Sequence, residues 1–270
     1  MPRRAILAVV AASATVLILI VAVACWPGSD STADAPAAAP QPTQAGATGP
    51  QGPPHFSLGD LGVKLAFALV APDGNGTLEI SLPDGTGTEV GGARGIFTGI
   101  NWSPDGRQLA VSFGPSPQQQ DVWVVDADGQ NLTQLTSDGH SRRPTWSPDG
   151  ETIAFTDAVE AGQGHGPTFV MAANGSGWSQ LSKDPRHDDP AWAPDGSSIA
   201  ASREPGTLVL LSPTTGAELQ QVTLLRDSAP SYSSFDWSSD STGLVGVVMR
   251  GQDLAIVMLN DNLTSQRQVG

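Results

Sequence analysis

The pentapeptide Trp-Ser-Pro-Asp-Gly recurs along this chain and constrains its fold more than any other feature. It occupies residues 102–106 and 146–150, returns as Trp-Ala-Pro-Asp-Gly at 192–196, and has a degenerate copy, Trp-Ser-Ser-Asp-Ser, at 237–241. The steps between successive tryptophans are 44, 46 and 45 residues. A period of this length indicates stacked supersecondary units, and a β-propeller with one four-stranded blade per repeat is the leading arrangement.

Each repeat is predicted to form a strand, a turn, a strand, a loop, a strand, a turn and a last strand. Pro-Asp-Gly favours a tight turn. The apolar residues that follow it, such as Leu109-Ala110-Val111, predict a strand covered on both faces. Counting back 44 residues from Trp102 places a degenerate fifth unit from about His55. The sequence therefore predicts an all-β fold: a β-propeller over residues 55–270, with five blades of four antiparallel strands.

The side chains that recur once per unit have structural interpretations. We expect the four tryptophans to pack between blades, where they bury a large area, rather than to line a sugar groove; they are Trp102, Trp146, Trp192 and Trp237. The aspartates of the repeated turns are predicted to form those turns. Calcium needs 6–8 oxygen ligands, and a single turn offers few.

Residues 1–26 predict a membrane anchor or a signal. Arg3 and Arg4 precede an apolar run of 20 residues, from Ala5 to Ala24, which is long enough for a transmembrane helix. Positive charge before the run places everything after Cys25 outside the cytoplasm. Residues 22–25, Ala-Val-Ala-Cys, resemble a lipobox, so a retained anchor, a lipoprotein acylated at Cys25 and a simply cleaved signal all remain open.

Residues 27–54 are predicted to be a disordered linker. They contain seven proline, seven alanine and four glycine residues and almost no large apolar side chain, so they cannot bury enough surface to fold. Cys25 is the only cysteine, which leaves the propeller without a disulfide. The net charge of −14 repels phosphate, so nucleic acid is not expected as a partner.

The repeat resembles that of TolB-type propellers. The features that carry the resemblance are Trp-Ser-Pro-Asp-Gly, the apolar strand after it, Val-Trp-Val-Val-Asp-Ala-Asp-Gly at 122–129 and Leu-Thr-Gln-Leu-Thr at 132–136. Residues 101–136 and 145–182 match closely, 191–224 moderately, and 235–270 and 55–97 weakly. The resemblance implies a periplasmic or surface protein-binding propeller with no catalysis of its own. TolB carries a folded amino-terminal domain before its propeller, where this chain is expected to have a membrane segment and a linker, so the resemblance implies the architecture and not a specific partner.

Candidate functional residues are expected on the loops that precede the first strand of each blade, around one mouth of the channel. Loops on a rigid scaffold commonly carry function, and Arg and Tyr are frequent interface anchors. The predicted partner-binding residues are His140, Arg142, Arg143, Arg186, His187, Asp188, Asp189 and Tyr232. A metal site formed by His140, His187, Asp188 and Asp189, or an active site using His or Asp as acid or base, are alternatives. No metal-ligand spacing or nucleophile motif occurs, so no metal, cofactor or catalytic residue is predicted.

Together these features predict a membrane-tethered, extracytoplasmic, TolB-like propeller. It would act as a non-catalytic protein-binding or scaffold module of the bacterial cell envelope. Its partner would be an envelope protein, and residues 5–24 would hold it to the cell membrane. The alternative is a propeller hydrolase or lyase, or a glycan- or ligand-binding protein, with its site at the channel mouth.

Overall fold

The computed structural model describes residues 64–71, 74–82, 86–158, 165–203, 206–223, 231–250, 253–260 and 266–269, together with three short strands nearer the N terminus. All of its regular elements are strands. They are β1 Ala12–Ser13, β2 Val16–Leu17, β3 Val21–Ala24, β4 Lys64–Val70, β5 Gly76–Ser81, β6 Gly87–Trp102, β7 Gln108–Ser116, β8 Gln119–Asp126, β9 Thr133–Gln134, β10 Ser141–Trp146, β11 Thr152–Asp157, β12 Thr168–Ala172, β13 Ser179–Gln180, β14 His187–Trp192, β15 Ile199–Arg203, β16 Thr207–Leu211, β17 Glu218–Thr223, β18 Ser231–Trp237, β19 Gly243–Arg250, β20 Asp253–Asn260 and β21 Gln266–Val269.

The strands pair as antiparallel meanders, which is the blade arrangement of a β-propeller. Three sheets have four strands each, in the orders β10-β11-β12-β13, β14-β15-β16-β17 and β18-β19-β20-β21. A seven-stranded sheet runs from β3 to β9 in chain order, and β1 pairs only with β2. The all-β propeller predicted from the sequence is therefore confirmed.

The prediction of five separate blades is wrong, because the described strands form four propeller sheets. β6 is one strand of 16 residues that pairs with β5 at its start, as Gly87 opposite Ser81, and with β7 at its end, as Trp102 opposite Leu109. The degenerate unit and the unit of Trp102 thus share a strand. Residues 87–100 contain no proline, aspartate or asparagine to form a turn. Gly92 and Gly95, at φ 88° and 147°, bend the strand without interrupting it.

Most of the predicted N-terminal segment lies outside the described residues. Of residues 5–24, the structure describes only β1, β2 and β3, and β3 pairs with β4 through Val21 and Phe67. Cys25 and the linker at 27–54 lie outside the described residues. In the described part, no helix has the length and apolar character needed to cross a bilayer. The anchor stays a prediction.

Three of the repeated tryptophans lie between neighbouring sheets, and the fourth, Trp102, is buried in the apolar cluster of its own seven-stranded sheet. Trp146 is 5% exposed and belongs to an apolar cluster that includes Ala110 and Val122 of the preceding sheet. Trp237 is 3% exposed, lies in a cluster with residues of β14 to β16, and donates its indole N–H to the carbonyl oxygen of Ala191 at 3.1 Å. Trp192 is half-buried and packs against a cluster that includes Leu181 of the sheet before it. Contacts of this kind connect sheets that share no backbone ladder.

The repeated turns are closed by their own side chains. Ser103 Oγ donates to Asp105 Oδ1 at 2.7 Å, and the same carboxylate oxygen accepts the amide of Arg107 at 3.1 Å. Gly106 follows at φ 67°, a conformation that costs glycine nothing. Asp149 repeats the arrangement by accepting Ser147 Oγ at 2.5 Å and the amide of Glu151 at 3.0 Å. These bonds assign the repeated aspartates to turn formation.

Candidate functional site

Strand β6 contacts β10, the first strand of the next sheet, and the first strands of the later sheets continue the series, β10 with β14 and β14 with β18. In a propeller these are the innermost strands, so the residues at their N-terminal ends lie around the mouth of the channel. Two of these strands carry a pair of charged residues each. We call Arg142, Arg143, Asp188 and Asp189 the mouth cluster.

The sequence placed the mouth cluster in loops, and this was wrong, because the structure places all four residues within β10 and β14. The ladders continue past them by means of β-bulges, with register shifts between Arg142 and Thr145 and between Asp188 and Ala191. Each bulge contains a proline, Pro144 or Pro190, which has no N–H to donate to the neighbouring strand. Arg143 and Asp189 adopt left-handed backbone conformations, with φ of 53° and 55°.

A hydroxyl of the preceding sheet holds each bulge in place. The amide of Arg143 donates to Ser112 Oγ at 3.0 Å, and the amide of Asp189 donates to Thr156 Oγ1 at 3.1 Å. Ser112 and Thr156 each lie ten residues after the tryptophan of their unit, on the second strand. The sequence analysis missed them, although a polar residue at the same place in an otherwise apolar strand was the available signal.

An ion pair connects β10 and β14 across the mouth. Arg143 Nη1 lies 3.2 Å from Asp188 Oδ2 and 3.8 Å from Asp189 Oδ2, while 26% of the Arg143 side chain remains exposed. Arg142 is only 6% exposed, and its Nε and Nη2 atoms are buried with no hydrogen-bond partner in the described structure. The cluster therefore contains a partly exposed arginine, Arg143, that is paired with carboxylates, and a buried arginine, Arg142, whose Nε and Nη2 donors have no acceptor.

Burial controls protonation in the mouth cluster. It raises the pKa of Asp189 to about 6, against the opposing effect of Arg143 and with support from the neighbouring charges of Asp188 and Asp236. Burial also lowers the pKa of Arg142, which Asp188 partly offsets. Both pKa shifts arise because burial removes water from the charged form of the group and so disfavours it.

Replacing Asp189 with asparagine should change how stability depends on pH. Because the carboxyl of Asp189 has a raised pKa in the folded chain, the folded state retains a proton between about pH 4 and 6 that the unfolded chain releases. The wild-type free energy of unfolding should therefore fall across this range by up to about 3 kcal/mol. The Asp189→Asn variant lacks this titration, so urea unfolding from pH 4 to 7 should show its stability rising relative to wild type by that amount.

Asp128→Asn is the matched control for this experiment, because Asp128 lies in an exposed turn and accepts only the nearby amide of Gln130, at 3.0 Å. A difference between wild type and Asp189→Asn that stays constant from pH 4 to 7 would contradict the raised pKa.

The two candidate histidines lie in different surroundings. His187 is 1% exposed, and its Nε2 lies 3.4 Å from Glu218 Oε1, beside Asp184. His140 instead donates its backbone amide to Asp138 at 2.5 Å and accepts the amide of Ala158 at 3.0 Å. The predicted set of His140, His187, Asp188 and Asp189 is therefore not the group that the structure brings together. Among the described residues, the three that could share a metal ion are Asp184, His187 and Glu218.

The remaining candidates contribute less to the mouth. Arg186 is exposed and forms two hydrogen bonds with Asp184, at 3.0 and 2.8 Å. Tyr232 lies on β18, opposite Val248. Arg226 and Asp227, on the predicted loop before β18, lie outside the described residues. The sequence did not single out Asp184, which lies three residues before His187, or Arg203 and Glu218, which approach His187 from β15 and β17.

Comparisons with known proteins agree with the fold. The chain is 16% identical to TolB from Acinetobacter baumannii, with a TM-score of 0.60 over 76% of this chain and 51% of that one. It is also 16% identical to a putative TolB from Agrobacterium tumefaciens, with a TM-score of 0.60 over 75% and 76% of the two chains. A chain of a nidogen/laminin complex gives a TM-score of 0.58 at 12% identity, over 76% of this chain and 74% of that one. The chain thus spans about half the length of the Acinetobacter protein.

A curated relative matches over a shorter stretch. The uncharacterized peptidase YuxL of Bacillus subtilis is 33% identical over 67 residues, which is 24% of this chain and 10% of that protein. Residues 64–234, more than half of the 270 residues, match the family described as the TolB beta propeller domain. On the basis of this match, the chain belongs to the TolB beta propeller domain family.

Proposed function

We propose that the chain is a protein-binding module of the bacterial cell envelope, tethered to the membrane, that recognises its partner at the mouth cluster without catalysis. Membership of the TolB propeller family and the likeness to proteins named TolB support an envelope protein as partner. The apolar run from Ala5 to Ala24, which follows two arginines, supports the tether. Function on such a scaffold has to be argued from the site itself.

The observation that carries this proposal is the buried guanidinium of Arg142. Its Nε and Nη2 atoms are without hydrogen-bond partners although the residue is 6% exposed. A buried charged donor without an acceptor is costly, and an acceptor from a bound partner removes that cost. A carboxylate or a backbone carbonyl of a protein would fit this role.

The charges around Arg142 favour a protein surface over a simple anion. Arg143 is paired with Asp188 and Asp189, and the charge of Asp236 also acts on Asp189. The mouth therefore presents both signs of charge at short range. Such a mixed pattern has its complement in a protein surface that also carries both signs, and electrostatic complementarity of this kind gives specificity.

The hydrogen bonds of the cluster support binding rather than acid–base chemistry. Asp188 accepts Arg143 at 3.2 Å and the amide of Asp189 at 2.9 Å. The nearest hydroxyls on the preceding strands, Ser112 and Thr156, accept the backbone amides of the bulges. Asp188 and the two bulge amides are thus paired with partners that fix the bulges, and no hydrogen bond among the described residues joins either hydroxyl to a base that would activate it.

One observation favours the alternative of an enzyme. A carboxyl with a pKa of about 6, as burial gives Asp189, is suited to general acid or base catalysis. If Asp189 served catalysis, Asp189→Asn would abolish turnover of an envelope substrate. Under the binding proposal the chain turns over no such substrate, and the effect of the same variant is confined to partner capture.

Partner capture from intact cells tests the binding proposal. We expect crosslinking of the full-length chain to yield a specific envelope protein, and Arg142→Met to reduce its capture roughly tenfold or more. Methionine keeps much of the buried volume, and loss of an unpaired buried charge should leave the free energy of unfolding unchanged or raised.

Arg107→Met is the matched control, because the Arg107 side chain is 83% exposed in a turn at the other end of the sheet. Equal capture by wild type and Arg142→Met, or equal loss with Arg107→Met, would contradict a site at the mouth.

A further inference from the structure

We propose that Asp184, His187 and Glu218 form a binding site for one divalent transition-metal ion, such as Zn²⁺, distinct from the mouth cluster. The three residues come from the loop before β14, from the first position of β14 and from the first position of β17. One ligand atom from each lies within 4.8 Å of the other two. The set shares only His187 with the alternative metal site that the sequence suggested, His140, His187, Asp188 and Asp189.

His187 provides the second observation, independent of the carboxylates. It is 1% exposed, yet neither Nδ1 nor Nε2 has a hydrogen bond in the described structure. Leaving a buried polar group unsatisfied costs about 1–3 kcal/mol. Its Nε2 is directed at the carboxylate of Glu218, so an ion between the two would satisfy a nitrogen that is otherwise unpaired.

The distances fit coordination with little rearrangement. Two ligands of a tetrahedral zinc ion, each about 2.1 Å from it, lie about 3.4 Å apart. His187 Nε2 and Glu218 Oε1 are 3.4 Å apart. Asp184 lies within 4.8 Å of both, so the movement needed to bring it to the same spacing and complete three ligands is at most about 1.4 Å (4.8 less 3.4).

The protonation states also suit a metal. Burial lowers the pKa of His187, so the imidazole is neutral at pH 7 and keeps the lone pair that binds a metal. The hydrogen bond from Arg186 lowers the pKa of Asp184 to about 2, so this carboxylate is ionised. Imidazole with carboxylate oxygens is a ligand set that suits zinc and neighbouring transition metals.

Two arginines compete for the same carboxylates. Arg186 holds both oxygens of Asp184, at 3.0 and 2.8 Å, and Arg203 Nη1 lies 2.6 Å from Glu218 Oε1 and 3.8 Å from Asp184 Oδ2. Half of the Arg186 side chain is exposed, so it can exchange Asp184 for water at small cost. Arg203 has Gln221 as a further partner and remains in place. Metal binding therefore displaces Arg186, which makes Arg186 a negative determinant of affinity.

Zinc titration of the full-length chain, without a histidine tag, tests this proposal. We expect calorimetry at pH 7 to show one Zn²⁺ per chain, with binding weakened tenfold or more by His187→Ala and by Glu218→Gln. Arg186→Ala should strengthen binding several-fold, because it removes the competing cation. Purely structural ion pairing does not predict this gain.

His140→Ala is the matched control and should bind zinc as wild type does. Glu218 is more exposed than His187, so Glu218→Gln keeps the test valid if His187→Ala reduces folding. Binding that His187→Ala and Glu218→Gln leave unchanged, or the absence of binding to wild type, would overturn the proposal. Neither result depends on partner capture at the mouth cluster.

Discussion

Replacing Trp237 with alanine should lower the free energy of unfolding by about 3–5 kcal/mol, the range for deletion of a large buried aromatic side chain. Trp237 is 3% exposed and lies in the apolar cluster between the last two sheets. The variant also loses the hydrogen bond from the indole to the carbonyl of Ala191, which would then be left without this donor. Urea unfolding of the purified full-length chain measures the change.

Trp178→Ala makes the same substitution at a position that is 39% exposed. Trp178 packs edge-on against Phe155 at 5.2 Å and donates its indole N–H to Gly175 at 3.2 Å, so we expect a loss of only about 1–2 kcal/mol. Trp237→Phe should fall between wild type and Trp237→Ala, because it keeps most of the apolar volume. Equal losses of unfolding free energy for the two alanine variants would contradict a stabilising role for the packing of Trp237 between sheets.

Replacing Gly216 with alanine should cost about 3 kcal/mol or more. Gly216 has φ 66° in the turn between β16 and β17, and an added Cβ would lie 1.7 Å from the carbonyl oxygen of Leu181 in the neighbouring sheet. Leu181 is held by its own amide, which donates to Thr168 at 2.9 Å, so the two sheets would have to separate. Steric overlap at backbone adds to the strain of a left-handed conformation.

Gly177→Ala isolates the conformational part of this cost. Gly177 has φ 72°, and no atom lies within 4 Å of an added Cβ, so we expect a loss of about 1–2 kcal/mol from the left-handed backbone alone. The difference in unfolding free energy between the two variants measures the contact between sheets. Similar urea midpoints for both variants would show that Gly216 is not closely packed against Leu181.

Features encoded in a few adjacent residues could be predicted from the sequence. The Ser-Pro-Asp-Gly turns form from their own side chains, and the apolar strand after each turn is buried, as Ala110, Ala154 and Ala200 show with 0% exposure. The period of the tryptophans led directly to a propeller. These signals depend on local chemistry that the surrounding fold does not alter.

Features that depend on register could not be predicted. His187 lies opposite Arg203 in the ladder of β14 and β15, and the Glu218 side chain reaches His187 from β17, so these contacts exist only in the folded sheet. The four residues of the mouth cluster were among eight predicted site residues, but they were placed in loops because a bulge that contains proline resembles a strand boundary in sequence. Two units are joined through β6 because Gly92 and Gly95 adopt positive φ within the strand. Glycine can adopt this conformation, but the sequence does not require it.

The continuous strand β6 makes the stiffness of the molecule uneven around its axis. The two units share the sixteen-residue strand β6, which pairs with β5 over residues 87–95 and with β7 over residues 96–102, so tilting one unit against the other bends a continuous strand. In the described structure no strand continues across the next two junctions, which are crossed by the connections at residues 135–140 and 181–186, by side-chain packing, and by single contacts such as the bond from Arg143 to Ser112. If the channel mouth widens when a partner binds, we expect the sheets to separate first at these two junctions, which lead directly into the strands bearing Arg142 and Asp188.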